Sequence, residues 1–330
     1  MACHTFWSWA IVLAVLLLAV AWGVRRLTRR KIIRLNMANM THDPIYATFL
    51  NDGEWKSFSE RHQEFLKLFP NLIKAMNIAF VRKQTGPSID VVILSLGRLC
   101  LEEFMEILLL CGHGYGVAAT RTIRGMYERA VTAEYLHDNP GEVEAFLNYH
   151  HVSEYKLLKQ IQTTMGNNVL SPAQTKQIEE NYQNHKAQFM VTDCKKCETF
   201  GVNHNWSKLD FVSMAGKTSL GKLIVPDYYL PTKQIHSTIG AVFSRLEFGQ
   251  DEGLVFQEAA QREEADEALM AAHVLMLSVL ELQKNHFNLD VLDTPLQTCK
   301  ADLDTIWRKT PASEERSNLD LLRHEGPIRP

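Results

Sequence analysis

The chain has 330 residues with 35 basic and 38 acidic side chains, enough to bury one large helical core or two smaller ones. The charge is uneven: residues 1–34 hold six basic and no acidic residues, leaving 29 basic against 38 acidic in the other 296, a formal −9. That acidic body argues against nucleic acid as a partner, because phosphate-backbone binding depends on clustered Lys and Arg, and six scattered cysteines exclude a disulfide-stapled fold.

The uncharged run Phe6 to Val24 is followed at once by Arg25, Arg26, Arg29, Arg30, Lys31 and Arg34. As a helix it is about 28 Å long, against a hydrocarbon core of about 30 Å. Trp7, Trp9 and Trp22 lie near its ends, at headgroup level. A cleaved signal peptide is the competing reading, since Ala19 and Ala21 form a small-x-small site. No Lys or Arg precedes Phe6, however, and six cations follow the run. Residues 1–34 are therefore expected to be a single transmembrane helix with a basic flank, its short N-terminus outside and the rest cytoplasmic. The lipid bilayer is the partner of residues 6–24, and anionic headgroups are the partner of Arg25 to Arg34.

Residues 35–53 read as a juxtamembrane linker, and 54–309 as an α-helical domain. Apolar residues recur at helical spacing from Trp55 to Val81, with Pro70 marking a kink or break. Ile89 to Cys111 is apolar enough to raise a second membrane span. Asp90, Arg98, Glu102, Glu103 and Glu106 make it a buried core helix instead. GHGYG at 112–116 breaks that helix, and Val117 to His137 forms the next, ended by DNPG. Further helices are expected from Glu142 to Met165 and from Ser171 to Met190, the latter opened by a capping box of Ser171 and Gln174. A turn-rich stretch from Val191 to Pro226 holds one short helix near Lys208 to Ala215. Tyr228–Leu246, Glu258–Phe287 and Leu296–Arg308 complete the set, and 310–330 is a disordered tail. No window alternates apolar and polar residues, so strands are not required and the fold class is all-α.

The string AATRTIRGMYERAVTAEYL at 118–136, with Trp206-Ser207, Ala215-Gly216-Lys217 and Tyr229-x6-His236, resembles the prokaryotic domain-of-unknown-function family numbered five-six-seven-seven. The resemblance covers about Phe65 to Leu280 and implies a helical domain with no established activity.

Arg124 and Glu128 share a helix face, with Arg121 and Tyr127 beside it. Such a face binds a carboxylate or phosphate, or else the pair satisfies itself. His236, with a charge that changes near neutral pH, is the acid-base candidate. The ligand-binding set is thus Arg121, Arg124, Tyr127, Glu128, Trp206, Tyr229 and His236; the catalytic candidates are His236, Arg124 and Glu128.

Neither metal nor cofactor is expected. Glu134-x-x-His137 with Glu103 and Glu106 lacks the second Glu-x-x-His of a di-iron bundle, since Glu154 follows His150 by four and Glu281 precedes His286 by five. Cys194 and Cys197 have zinc or redox spacing without a second ligand pair, His204 alone following. GHGYG lacks the Lys-Ser/Thr of a phosphate loop. Two function classes remain. One is a ligand- or protein-binding module at the cytoplasmic membrane face, with a homo-oligomer or protein partner. The other is a hydrolase or HEPN-like nuclease of a defence or toxin type, although seven residues separate Arg129 from His137 where that family has four to six.

Overall fold

Three long helices cross one another at the centre of the protein, each presenting small or apolar residues every three or four positions. The computed structural model describes residues 52–81, 86–194, 199–236, 239–243, 245–248, 254–256 and 260–307. From Gly53 onward the chain forms one compact unit. Helix α1 (Asp52–Arg61) leads into α2 (Gln63–Phe80), α3 (Ser88–Gly112), α4 (Gly116–Asp138), α5 (Val143–Met165) and α6 (Pro172–His185). Then come a hairpin of β1 (Met190–Cys194) and β2 (Thr199–Val202), α7 (Phe211–Ala215), α8 (Leu230–Ile235) and α9 (Ile239–Phe243). A hairpin of β3 (Leu246–Phe248) and β4 (Leu254–Phe256), then α10 (Arg262–Phe287) and α11 (Asp293–Trp307), complete the described α-helices and strands.

The core is the mutual packing of α3, α4 and α10. In α3, Ile93, Cys100, Phe104, Ile107 and Cys111 are fully or almost fully buried, a 3.6-residue stripe that supports the core-helix reading. Among the described residues no helix is long and apolar enough to cross a membrane. The anchor expected over 6–24, its basic flank, nearly all of the linker and the tail lie outside the described residues.

α4 contributes Ile123, Met126, Tyr127 and Ala130, and α10 contributes Ala265, Leu269, Ala272, Met276 and Leu280. Gln283, fully buried, donates from Nε2 to the Ile93 carbonyl of α3 at 2.9 Å, so this buried amide has a backbone acceptor across the interface. α2 and α11 pack together along one side of α10, where Trp307 Nε1 donates to His273 Nδ1 at 3.2 Å.

α5 and α6 form a helical hairpin. The Tyr155 and Tyr182 rings stack at 3.9 Å, and α6 buries no residue. Its start is the expected capping box: Ser171 Oγ accepts from the Gln174 backbone N–H at 3.3 Å, and Gln174 Oε1 accepts from the Ser171 N–H at 3.1 Å.

Three expectations change in detail. The first helical region divides at His62, not at Pro70, which lies within α2. His62 Nε2 meets Asp266 Oδ1 of α10 at 2.7 Å, a tertiary contact that holds the turn. The single helix expected over Tyr228–Leu246 is instead a π-helical turn at Val225–Tyr229, then α8, then α9, then β3. Pro231 fits the first turn of α8, where its missing N–H costs nothing, and His236 takes an extended conformation (φ −85°, ψ 147°) that stops the helix. Finally, the two hairpins add short antiparallel pairs (Met190 with Val202, Leu246 with Phe256) to an otherwise helical protein.

Candidate functional site

The outward face of α4 carries two ion pairs on adjacent turns. Arg124 Nη2 donates to Glu128 Oε1 at 2.9 Å, and the guanidinium lies 4.8 Å from the centre of the Tyr228 ring. Its Nε is buried without a hydrogen-bond partner among the described residues. Beside it, Arg129 pairs with Glu103 of α3, and Gly125 leaves the room, since a Cβ there would lie 2.8 Å from Arg129 Nη1. Burial pushes the Glu103 carboxyl up to about 7 against the pull of Arg129, with Glu106 and Glu128 adding to the rise.

Tyr127 does not belong to this face. It is fully buried, its hydroxyl donates to the Leu220 carbonyl at 3.0 Å, and burial with the charges of Asp227 and Glu134 raises its pKa. Trp206 packs edge-to-face on Tyr135 and Phe146, and the exposed Tyr229 rests against Tyr228.

Arg121 and His236 line a cleft elsewhere. An open cleft of about 620 Å³ is formed where the first turns of α4 (Tyr115, Val117, Ala118, Arg121) face Gln234, Ile235 and His236 at the end of α8, with Ala241, Val242, Arg245 and Gln261 completing it. Its base is the close approach of two helix starts. Gly116 carries no side chain where a Cβ would lie 2.5 Å from the Ala265 nitrogen. The Gln261 N–H donates to the Gly114 carbonyl at 2.9 Å, and Gln261 Oε1 accepts from the Val117 N–H at 2.9 Å. The GHGYG segment is therefore a turn, as expected: Gly114 takes φ +78° and Tyr115 opens α4. Arg124 and Glu128 do not line this cleft. Of the seven residues expected to bind ligand, the structure brings Arg121 and His236 together and leaves the other five in separate packing or pairing roles. Gln234, Arg245 and Gln261 are additions that local spacing does not reveal, since they reach the cleft only through tertiary folding.

A second polar cluster joins the far ends of the three core helices. His286 Nε2 meets Asp90 Oδ1 at 3.0 Å, and His286 Nδ1 meets His137 Nδ1 at 2.9 Å. A carboxylate only accepts, so the Asp90 contact assigns the Nε2 proton to His286. The two histidines of the incomplete di-metal pattern thus bond to one another. Glu134, the carboxylate of that pattern, accepts instead from Ser219 N–H at 2.7 Å and Ser219 Oγ at 3.1 Å. Among the described residues no group of three or more His, Cys, Asp or Glu side chains is arranged to hold a metal ion. Cys194 ends β1, and Cys197 lies outside the described residues.

Compared with known families, residues 90–253 match the model of a family of unknown function, DUF5677, and the chain belongs to that family. The match is shorter at both ends than the span expected from the motifs, leaving α2 and α10 outside it. No curated protein and no solved structure matches the chain.

Proposed function

We propose that this DUF5677 protein is a membrane-tethered binding module whose ligand occupies the cleft at the start of α4. The observation that carries the reading is the concave surface itself. It joins polar groups from four separate parts of the chain to the apolar side chains of Val117, Ile235 and Val242. Its volume of about 620 Å³ falls within the range of about 300–1,000 Å³ typical of small-molecule sites. The tether rests on the sequence: nineteen uncharged residues from Phe6 to Val24 and the six cations that follow them favour a single span with the folded domain at the cytoplasmic face.

Hydrolysis draws less support. Arg124 and Glu128 are committed to one another, and His236 is exposed at a helix end with no carboxylate or hydroxyl on its ring among the described residues. A thermal-shift panel of small carboxylates, phosphates, alcohols and amines on the full chain tests the binding reading. At least one class should raise the melting temperature of the wild type and leave Ala118→Trp, whose indole fills the cleft, unmoved. Equal shifts for both proteins, or no shift with any class, would refute it.

A further inference from the structure

We infer that the ligand of this cleft is a small organic anion, a phosphate or carboxylate head on an apolar body, held by Arg121 and Arg245 with His236. The inference rests on the binding-module reading and names the chemistry of its ligand. Two guanidinium groups and an imidazole line the cleft, and none of its described lining residues is acidic, on a body with an excess of nine acidic side chains. The two arginines arrive from different elements, Arg121 from the second turn of α4 and Arg245 from the segment after α9. Forked donors on two walls match an oxyanion that offers several acceptor oxygens. Arg121 is exposed and makes no ion pair among the described residues.

The backbone adds to the same field. α4 is 23 residues long, its first turn holds no acidic residue, and Tyr115 provides no side-chain cap. Its N-terminal end, worth roughly half a positive charge, therefore opens toward the cleft through Tyr115, Val117 and Ala118. The start of α10 is different: Glu263 and Glu264 already occupy its first turn. The apolar body is indicated by the opposite wall, where Ile235 and Val242 are 42% and 47% exposed and would be covered by an alkyl group.

A lipid headgroup at the membrane face and a free metabolite would present the same anionic chemistry. Both are distinguished by isothermal titration of the full chain in phosphatidylcholine nanodiscs with hexyl phosphate, hexanoate, hexanol and hexylamine. The two anions should bind, with hexanol about tenfold weaker or worse and hexylamine not at all. Raising the salt should weaken only the anions. Arg121→Ala should lose about tenfold to a hundredfold in anion affinity, with partial recovery in Arg121→Lys. Phosphatidic acid in the disc should compete with hexyl phosphate if the headgroup is the natural source, and leave it unchanged if the source is a soluble anion. Hexanol binding as tightly as the anions, with Arg121→Ala unaffected, overturns the anion assignment and leaves the cleft as a site. Anion binding untouched by Ala118→Trp, or no binding by any of the four probes, overturns both.

Discussion

Replacing Gly116 with alanine tests whether the start of α4 is held against α10 as tightly as the structure shows. In the middle of a helix, Gly→Ala ordinarily stabilises by up to about 1 kcal/mol. Here the new methyl would lie 2.5 Å from the Ala265 nitrogen and closer still to the Gln261 carbonyl oxygen. Ordinary contact begins at 3.4 Å, so the two helix starts must separate by about 1.0 Å to clear the Gln261 oxygen at 2.4 Å. Both opposing atoms are backbone, and no rotamer change relieves the contact. Overpacking of this kind costs about 1–3 kcal/mol, and the movement would also stretch the 2.9 Å bonds that Gln261 makes to Gly114 and Val117. We expect a net loss of about 2 kcal/mol, or about 4–8 °C in melting temperature, measured by urea denaturation and calorimetry. Gly141→Ala is the control. Nothing lies within 4 Å of its Cβ position, and its effect should stay within about 0.5 kcal/mol. Gly116→Ala as stable as the wild type would refute the close approach, and with it the account of how the cleft is shaped.

Two further outcomes concern histidines in the interior and at its edge. His273 is 2% exposed, and burial lowers its pKa from 6.5 to about 4. The unfolded chain therefore takes up a proton that the folded chain refuses between those values, and stability present above pH 6.5 is lost as the pH falls toward 4. At 1.36 kcal/mol per pH unit the loss approaches about 3 kcal/mol. His273→Gln, which keeps an acceptor for Trp307, should flatten that acid limb in denaturation curves between pH 4.5 and 7.5; an unchanged slope would count against it. His286→Ala should cost about 1–3 kcal/mol, because it removes the bonds to both Asp90 and His137, whereas His137→Ala, which removes only one of them, should cost about 1 kcal/mol. Equal losses would show that the three groups do not act as a chain.

The three core helices were legible because their burial signal is local and long. Ile93 through Cys111 repeats every three or four residues, and no polar substitution interrupts the buried side. The capping box of α6 was legible for a similar reason, since Ser171, Pro172 and Gln174 satisfy one another within a single turn. Between 225 and 246 the apolar residues also recur at helical intervals, yet the chain passes from a π-helical turn into α8 at Leu230 and stops at His236. Periodicity over so short a stretch does not separate one helix from two. The candidate site suffered from the opposite problem. Arg124, Glu128 and Tyr127 stand close in sequence, but helical rotation sends Tyr127 into the core and pairs the other two. Arg121 reaches His236 across more than a hundred residues of chain, a juxtaposition written in tertiary packing rather than in spacing.

The helix that completes the core comes from the far end of the domain, beyond the stretch that matches the family. α10 supplies thirteen buried residues, from Ala265 to Gln283, to a surface that α3 and α4 present together. On a ribosome, 149 residues of further synthesis separate the end of α4 at Asp138 from the end of α10 at Phe287. At about 5–20 residues per second, the α3–α4 hairpin waits roughly 7 to 30 s with its partner face open. During that interval a greasy groove stands beside a nascent chain that carries a nineteen-residue apolar run at its start. Each of the two apolar surfaces is then free to meet the other or a neighbouring chain, so the interval before α10 emerges is the one in which this protein is most prone to aggregate.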